Sequence, residues 1–317
     1  SCTSTYDGGV CASTGTTYCG ASGDETRPMI PSSMLDSLRV CSTCFGASCG
    51  SAGSVCETHG AGDGVADVDF VLFLTASTNS MCTASSSMLA YATVCQRDQY
   101  DRPLFGHAHF CASKLSASAA DWDEQLATAT HELLHALGFS EESWALFRHA
   151  DGTPRTARGA DGRPIATEYT CPTGLSGDHR VPDSNTLITT SERGGTVTRI
   201  VTPRVVAVTR DIFGCDSLPG AELENQPTAS GSCWGSHWEQ RLHMNDVMAA
   251  VSSHRAVYSA LTLAALEDSG WYFANYSVSQ PQLWGRGQGC AFATARCVEE
   301  GASSHDDTFC TVADAHG

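Results

Sequence analysis

Residues 131–139 read His-Glu-Leu-Leu-His-Ala-Leu-Gly-Phe, and this stretch decides the fold. In an α-helix, residues four apart lie on one face, so His131 and His135 can bind a single metal ion. Glu132 stands next to the first histidine, where it can take a proton from water beside the metal. The pattern is typical of hydrolytic zinc sites, in which three protein ligands leave a fourth position for water.

The flanking residues predict the helix that this spacing requires. Residues 121–124, Asp-Trp-Asp-Glu, supply an N-cap and an acidic first turn, which suit the positive end of the helix dipole. Gly138 stands where a helix-ending glycine with positive φ is expected. The apolar residues recur at spacings that predict a buried stripe: Leu126, Leu133, Leu134 and Leu137.

The third metal ligand is not settled by this stretch. In the pattern HExxHxxGxxH a third histidine follows the second by six residues, but that position holds Glu141. Either Glu141 or Glu142 binds the metal, or a histidine arrives from further along the chain. The downstream candidates are His149, His179, His237, His243 and His254.

Two later segments identify a resemblance. Residues 235–239 read Gly-Ser-His-Trp-Glu, and residues 245–250 read Asn-Asp-Val-Met-Ala-Ala. Together with residues 131–139, this order resembles the leishmanolysin-type metzincins (peptidase family M8), whose third histidine is displaced by an insertion. Further blocks fit the family at 102–111, 220–226, 261–272 and 283–292, so the resemblance runs from about residue 67 to about residue 300.

The resemblance implies the site residues. It assigns His131, His135 and His237 as ligands of one catalytic Zn²⁺ and Glu132 as the general base. Met248 would form the apolar floor beneath the metal, in a Met-turn. The implied function is a secreted zinc endopeptidase of broad specificity that hydrolyses peptide bonds of proteins.

The implied fold is α+β, with a mixed twisted sheet packed against the active-site helix. A large insertion separates the second and third zinc ligands, and the C-terminal part is rich in cysteine. We expect three segments, at 1–139, 140–275 and 276–317. Valine, isoleucine and threonine dominate residues 196–210 and predict β-structure there, while residues 258–269 predict a helix that ends at Gly270.

An edge strand of the sheet is expected to pair with an extended substrate by strand addition. We assign that strand to Gly106, His107, Ala108 and His109, with residues 67–76 as the alternative. His107 and His109 alternate as on one face of a strand, but no acidic or cysteine partner is spaced to complete a second metal site.

Composition indicates the compartment. The 16 cysteines predict disulfides and an oxidising environment, and Asn275 begins an N-glycosylation sequon. The net charge of −17 argues against nucleic-acid binding. No apolar run approaches the roughly 18 residues of a membrane span, and no lipid-anchor signal is present. We therefore expect a secreted monomer that acts on protein or peptide substrates.

Two rival functions remain open at this point. A zinc exopeptidase would use the same chemistry on free chain ends. An adhesion or host-recognition module would keep the fold with an inactive site, although the intact set of His131, Glu132, His135 and His237 argues against lost activity.

Overall fold

The structure is a computed structural model, which describes residues 2–7, 10–14, 18–20, 24–34, 38–43, 55–59, 62–85, 87–225, 232–251, 255–303, 305 and 308–309. Contacts divide the chain into two units. The first comprises Ser1–Gly138 and Arg158–Arg163, and the second comprises Phe139–Ala157 and Pro164–Gly317. Both α-helices and β-strands are present, so the secondary structure is mixed. The three-segment division stays a prediction.

The first unit contains seven strands and two α-helices among its described residues. The strands are β1 (Cys2–Asp7), β2 (Val10–Thr14), β3 (Leu38–Thr43), β4 (Val55–His59), β5 (Val71–Ser77), β6 (Ala90–Arg97) and β7 (Pro103–Cys111). The helices are α1 (Ser80–Ala84) and α2 (Trp122–Ala136). Strands β1 and β2 form one antiparallel hairpin, and β3 pairs with β4 in another.

The three-stranded sheet of this unit corrects the predicted substrate strand. Its order is β5-β7-β6, with β7 parallel to β5 and antiparallel to β6. Gly106, His107, Ala108 and His109 therefore lie in the central strand, and their backbone groups already face neighbours on both sides. The assignment of these residues to an edge strand is wrong, whereas residues 71–76 of the alternative segment lie in β5, which is an edge strand. Strand order depends on pairing between distant segments, which alternation along one segment does not report.

Helix α2 packs against β6 and β7. The contact with β7 is close, because a Cβ placed on Gly106 would lie 2.8 Å from the Cβ of Ala136. The buried face consists of Ala127, Thr128, Glu132 and Ala136. The predicted leucine stripe is wrong, because none of its four leucines is buried and Leu126 is 47% exposed. Small residues on this face let the helix approach the sheet.

The second unit carries the remaining elements. Its strands are β8 (Thr167–Thr170), β9 (Ser176–His179), β10 (Leu187–Glu192), β11 (Gly195–Ile200) and β12 (Ala221–Leu223). Its helices are α3 (Glu141–Trp144), α4 (Pro203–Phe213), α5 (Ala260–Asp268) and α6 (Gly289–Thr294). Strands β10, β11 and β12 form an antiparallel sheet, and β8 pairs with β9.

Residues 196–210 are not all β-structure. The first part lies in β11, but the chain then forms α4, which begins with Pro203 at its first turn. The Asp268 carboxylate, at the end of α5, accepts hydrogen bonds from the backbone N–H groups of Arg204 and Val205, at 2.7 and 3.1 Å. This tertiary cap satisfies donors that the helix cannot pair itself. It helps to override the strand preference of valine and threonine.

An aromatic cluster forms much of the second unit's core. Phe139 stacks edge-on against Trp144 and Trp238, with ring centroids 5.2 and 5.1 Å apart. Trp144 contacts Phe147, which in turn contacts Trp271. Residues 139–147, which follow α2, are thereby fixed to the segment that carries His237.

Four disulfides join cysteines in the described part of the chain. They are Cys19–Cys95, Cys82–Cys111, Cys171–Cys233 and Cys215–Cys290. Each lies within one unit. Among the described residues, no helix is long and apolar enough to cross a membrane.

Candidate metal centre

Helix α2 presents His131 and His135 on one face. Their Nε2 atoms lie 2.9 Å apart, and the two rings are nearly perpendicular, at 85°. Two imidazoles in this arrangement point their ring nitrogens at a common position. The four-residue spacing produces this geometry locally, because it brings the second side chain about one turn further along the same face.

Glu132 is buried on the same helix, with 5% of its surface exposed. Its Oε2 atom has no hydrogen-bond partner in the part of the chain that the structure describes. Burial raises the pKa of this carboxyl to about 8, because removal from water disfavours the charged form. Glu132 is thus a buried carboxyl with an unpaired oxygen, on the helix that carries the two imidazoles.

The helix ends immediately after the histidine pair. Leu137 is the C-cap residue, and Gly138 follows with φ of +105°, a conformation that favours glycine. The N–H of Gly138 donates to the carbonyl of His135 at 2.9 Å. The chain therefore leaves the helix at Gly138, three residues after His135.

His237 is held by Glu224. The Nδ1 atom of His237 lies 2.7 Å from Oε1 of Glu224, and the Ser236 N–H donates to the same oxygen at 3.1 Å. Pairing between the backbones of Glu224 and His237 brings the two residues together. Gly235 is required for this approach, since a Cβ there would lie 2.4 Å from Cγ of Glu224. A carboxylate on one ring nitrogen fixes the tautomer and leaves Nε2 to act as a ligand.

Glu141, which the sequence left open as a metal ligand, instead forms hydrogen bonds with the loop that carries His237. Its carboxylate accepts from the Trp234 N–H at 3.1 Å, and its own N–H donates to the Ser236 hydroxyl at 3.0 Å. The Trp144 indole donates to the Gly235 carbonyl at 3.1 Å. Helix α3 thus anchors the loop that carries His237, and Glu141 is part of that anchor.

The structure groups His131, His135 and His237. One ring nitrogen from each lies within 4.8 Å of the other two. A tetrahedral zinc with Zn–N bonds of about 2.0–2.1 Å places its ligand nitrogens ~3.3 Å apart. Three imidazoles with this spacing fit Zn²⁺, which prefers nitrogen and sulfur donors. Cys171, His179 and Cys233 also cluster, but the two cysteines form a disulfide.

Met248 lies in a turn that hydrogen bonds fix firmly. It is fully buried; its N–H donates to Oδ1 of Asp246 at 2.7 Å, and its carbonyl accepts from the Trp238 N–H at 2.9 Å. Asp246 also accepts from the hydroxyls of Ser259 and Thr262. Burial raises the pKa of Asp246 to about 6. The turn thus pairs with Trp238, which is the residue directly after His237.

Comparison with known proteins decides the family. A family model described as Leishmanolysin (peptidase M8) matches residues 34–316. The chain belongs to the leishmanolysin peptidase family. It is 38% identical over 292 residues to a leishmanolysin-like peptidase of Drosophila melanogaster, which covers 90% of this chain and 40% of that relative.

Two further relatives give similar results. The leishmanolysin-like peptidase of Caenorhabditis elegans is 41% identical over 255 residues, covering 77% of this chain and 37% of the relative. A ciliated left-right organizer metallopeptidase of Mus musculus is 34% identical over 254 residues, covering 79% and 32%. The chain spans two fifths or less of the length of these curated relatives.

In this leishmanolysin-family chain, His107 and His109 belong to a buried polar network. Thr75 Oγ1 lies 2.7 Å from a ring nitrogen of each histidine, and Oδ2 of Asp24 lies 4.0 Å from Nδ1 of His107. The spacing of residues along the chain did not predict Asp24 as a neighbour. Among described residues this set is not one of the groups whose ligand atoms converge on a point.

The other singled-out residues have separate environments. His243 is fully buried, with Nδ1 3.1 Å from Oε1 of Gln282, and burial lowers its pKa to about 4. His254 lies outside the described residues. Asn275 is exposed, and its side-chain oxygen accepts from the backbone and hydroxyl of Ser277.

Glu224 is a residue of the candidate site that sequence reasoning did not single out. It lies within the block at 220–226 that carries part of the resemblance, thirteen residues before His237. A glutamate in a family block upstream of the third histidine was the available signal. Its role became visible only when strand pairing placed it against His237.

Proposed function

We propose that the chain is a zinc-dependent endopeptidase of proteins, with His131, His135 and His237 holding the ion and Glu132 as general base. The observation that carries this proposal is the convergence of three imidazole nitrogens beside a buried carboxyl with an unpaired oxygen. Family membership supports the reaction class.

The chain's own residues divide the work of peptide hydrolysis. Zinc bound by the three histidines would supply a water whose pKa falls to about 7 and would polarise the substrate carbonyl. Glu132 accepts the proton from the attacking water, and the same carboxyl then delivers that proton to the leaving amine.

Surrounding residues hold this site in shape. Glu224 orients the His237 ring through its hydrogen bond to Nδ1. Met248 serves as the apolar floor, and Gly138 ends the helix so that the chain can continue to α3. We keep the long insertion between the second and third ligands, and the segments 1–139, 140–275 and 276–317, as parts of this proposal.

Strand β6 replaces β7 as the proposed substrate strand. It is an edge strand in the order β5-β7-β6, it is antiparallel to β7, and it packs against the helix that carries His131 and His135. An extended peptide can add to its outer edge through backbone hydrogen bonds. Such pairing needs no free chain end, which favours internal cleavage over exopeptidase action.

The proposed setting is extracellular. Four described disulfides suit an oxidising compartment, and exposed Asn275 is a proposed glycosylation site. The proposed partners are protein or peptide substrates, met by a monomer. An adhesion module with an inactive site is the second candidate, and casein hydrolysis that stops with a zinc chelator would reject it.

Glu132→Gln tests the proposed base. The amide keeps the shape of the side chain but cannot accept the proton, so we expect casein hydrolysis to fall by about 10²–10⁴-fold. Zinc content, measured by inductively coupled plasma mass spectrometry, should be unchanged. Glu142→Gln, at an exposed position ten residues on, is the matched control and should retain activity. Full activity of Glu132→Gln would reject the assignment.

A further inference from the structure

We propose that an apolar pocket beside the first half of α2 binds an apolar side chain of the peptide substrate, on the C-terminal side of the scissile bond. This inference rests on the proposed endopeptidase function and adds to it a preference for substrate sequence. Every residue that forms the pocket lies in the first unit, as do His131 and His135.

The pocket has a volume of about 670 Å³ and a mostly apolar lining. Its main side chains are Leu89, Phe110, Leu115, Trp122, Gln125 and Thr128. Trp122 is 64% exposed and Leu115 is 42% exposed. Large apolar groups left open to water around a concavity are typical of binding sites.

Polar contacts fix the walls of the pocket. The Lys114 ammonium donates to the backbone carbonyls of Ser85 and Met88. The Gln125 amide donates to the Ser116 carbonyl at 2.9 Å and accepts from the Ser116 N–H at 3.0 Å. The first contact ties the loop after β7 to the chain before β6, and the second ties it to α2. The pocket is therefore formed before a ligand arrives.

Strand register shows where the pocket lies relative to the histidines. Ala90 of β6 pairs with Phe110 of β7, which lines the pocket, whereas Val94 pairs with Gly106. Gly106 in turn lies against Ala136, at the end of α2. The part of β6 from Ala90 to Val94 therefore lies alongside the part of α2 that runs from the pocket to the helix end. His131 and His135 lie between these two levels.

The direction of the substrate follows from the direction of β6. Antiparallel pairing is the more stable arrangement, and a peptide paired in this way with the outer edge of β6 runs from the Arg97 end towards Ala90. Its C-terminal side then lies beside Leu89 and the pocket. The residues that follow the scissile bond are therefore the ones that reach it.

Helix and strand dimensions give the position within the substrate. From the middle of the histidine pair to Gln125 and Thr128 the helix spans roughly 8–12 Å, at about 1.5 Å per residue. An extended peptide advances about 3.3 Å per residue. The pocket therefore lies two to four residues beyond the scissile bond, and the alternation of side chains selects one or two of those positions.

A set of internally quenched peptides tests the pocket. The peptides share one cleaved sequence and carry either leucine or aspartate at the second, third or fourth position after the scissile bond, with cleavage sites checked by mass spectrometry. The zinc-loaded wild type should prefer leucine by roughly tenfold in kcat/KM at one or more of these positions. Leu115→Asp should remove that preference.

Leu126→Asp is the matched control. Leu126 is also a leucine of the first unit with similar exposure, at 47%, but it does not line the pocket, so this variant should keep the leucine preference. Ala117→Phe provides a second test if Leu115→Asp does not fold, because it fills the pocket with an apolar group and should also remove the preference. Circular dichroism verifies the fold of each variant.

The outcomes separate this inference from the proposed function. Cleavage by the wild type with no leucine preference at any of the three positions would overturn the pocket assignment and leave the endopeptidase standing. Equal loss of the preference in Leu115→Asp and Leu126→Asp would also overturn it. Absence of any zinc-dependent cleavage would reject the proposed function and, with it, this inference.

Discussion

Helix α2 places His131 and His135 by local geometry, whereas His237 owes its position to residues far away in the sequence. The helix needs only the four-residue spacing and a glycine at its end. The His237 loop, residues 232–239, is held by Glu141, Trp144 and Glu224 through hydrogen bonds. One half of the proposed site is therefore encoded in nine consecutive residues, and the other half is assembled by tertiary contacts.

The contrast predicts that replacing a supporting residue of the His237 loop will cost more metal affinity than replacing one in the helix. Glu224→Ala should weaken zinc binding by about 10–100-fold, because the His237 ring loses the carboxylate that orients it. Glu224→Gln, which keeps an acceptor oxygen, should weaken binding less. Competition with a chromogenic chelator measures both. Unchanged affinity in Glu224→Ala would show that the loop does not depend on this contact.

A smaller effect is expected at the end of the helix. Gly138→Ala forces a residue with a Cβ into positive φ and should lower the free energy of unfolding by about 1–2 kcal/mol, measured by urea titration. Gly152→Ala is the control, because Gly152 also has positive φ, at +83°, with open space at its Cβ position. If both variants lose the same free energy of unfolding but only Gly138→Ala binds zinc more weakly, then the helix end contributes to the metal site.

The smallest effect concerns the sheet that leads to Glu224. The Arg199 guanidinium binds both oxygens of Glu192, at 2.6 and 2.8 Å, and holds the pKa of that carboxyl down at about 2. A lowered pKa stabilises the folded state above the unfolded value of 4.5, and this stabilisation is lost as the pH falls towards 2.

Glu192→Gln should therefore lower the free energy of unfolding by less than about 1 kcal/mol at pH 6. The difference from wild type should shrink between pH 4.5 and pH 3, because Glu192 of the unfolded chain takes up a proton there while folded Glu192 stays charged. Urea titrations at several pH values measure this difference. A gap that stays constant over the range would contradict the ionic contribution.

The same contrast explains what the sequence could predict. The extent of α2, the positive φ at Gly138 and the helix before Gly270 follow from neighbouring residues, and the structure shows α2 at Trp122–Ala136 and α5 at Ala260–Asp268. Strand order in the sheet, the cap that Asp268 gives to α4 and the contact of Glu224 with His237 depend on distant pairing. Those features were mistaken or missed because periodicity in one segment carries no information about its partner.

The central claim is that His237 completes a zinc site begun by His131 and His135. The most direct test is the zinc dissociation constant of the wild type, His237→Ala and Glu141→Ala, with His149→Ala as a control outside the group. The account predicts at least about a hundredfold loss of affinity in His237→Ala, with His149→Ala unchanged and Glu141→Ala weakened less. Full affinity in His237→Ala, together with its loss in Glu141→Ala, would contradict it.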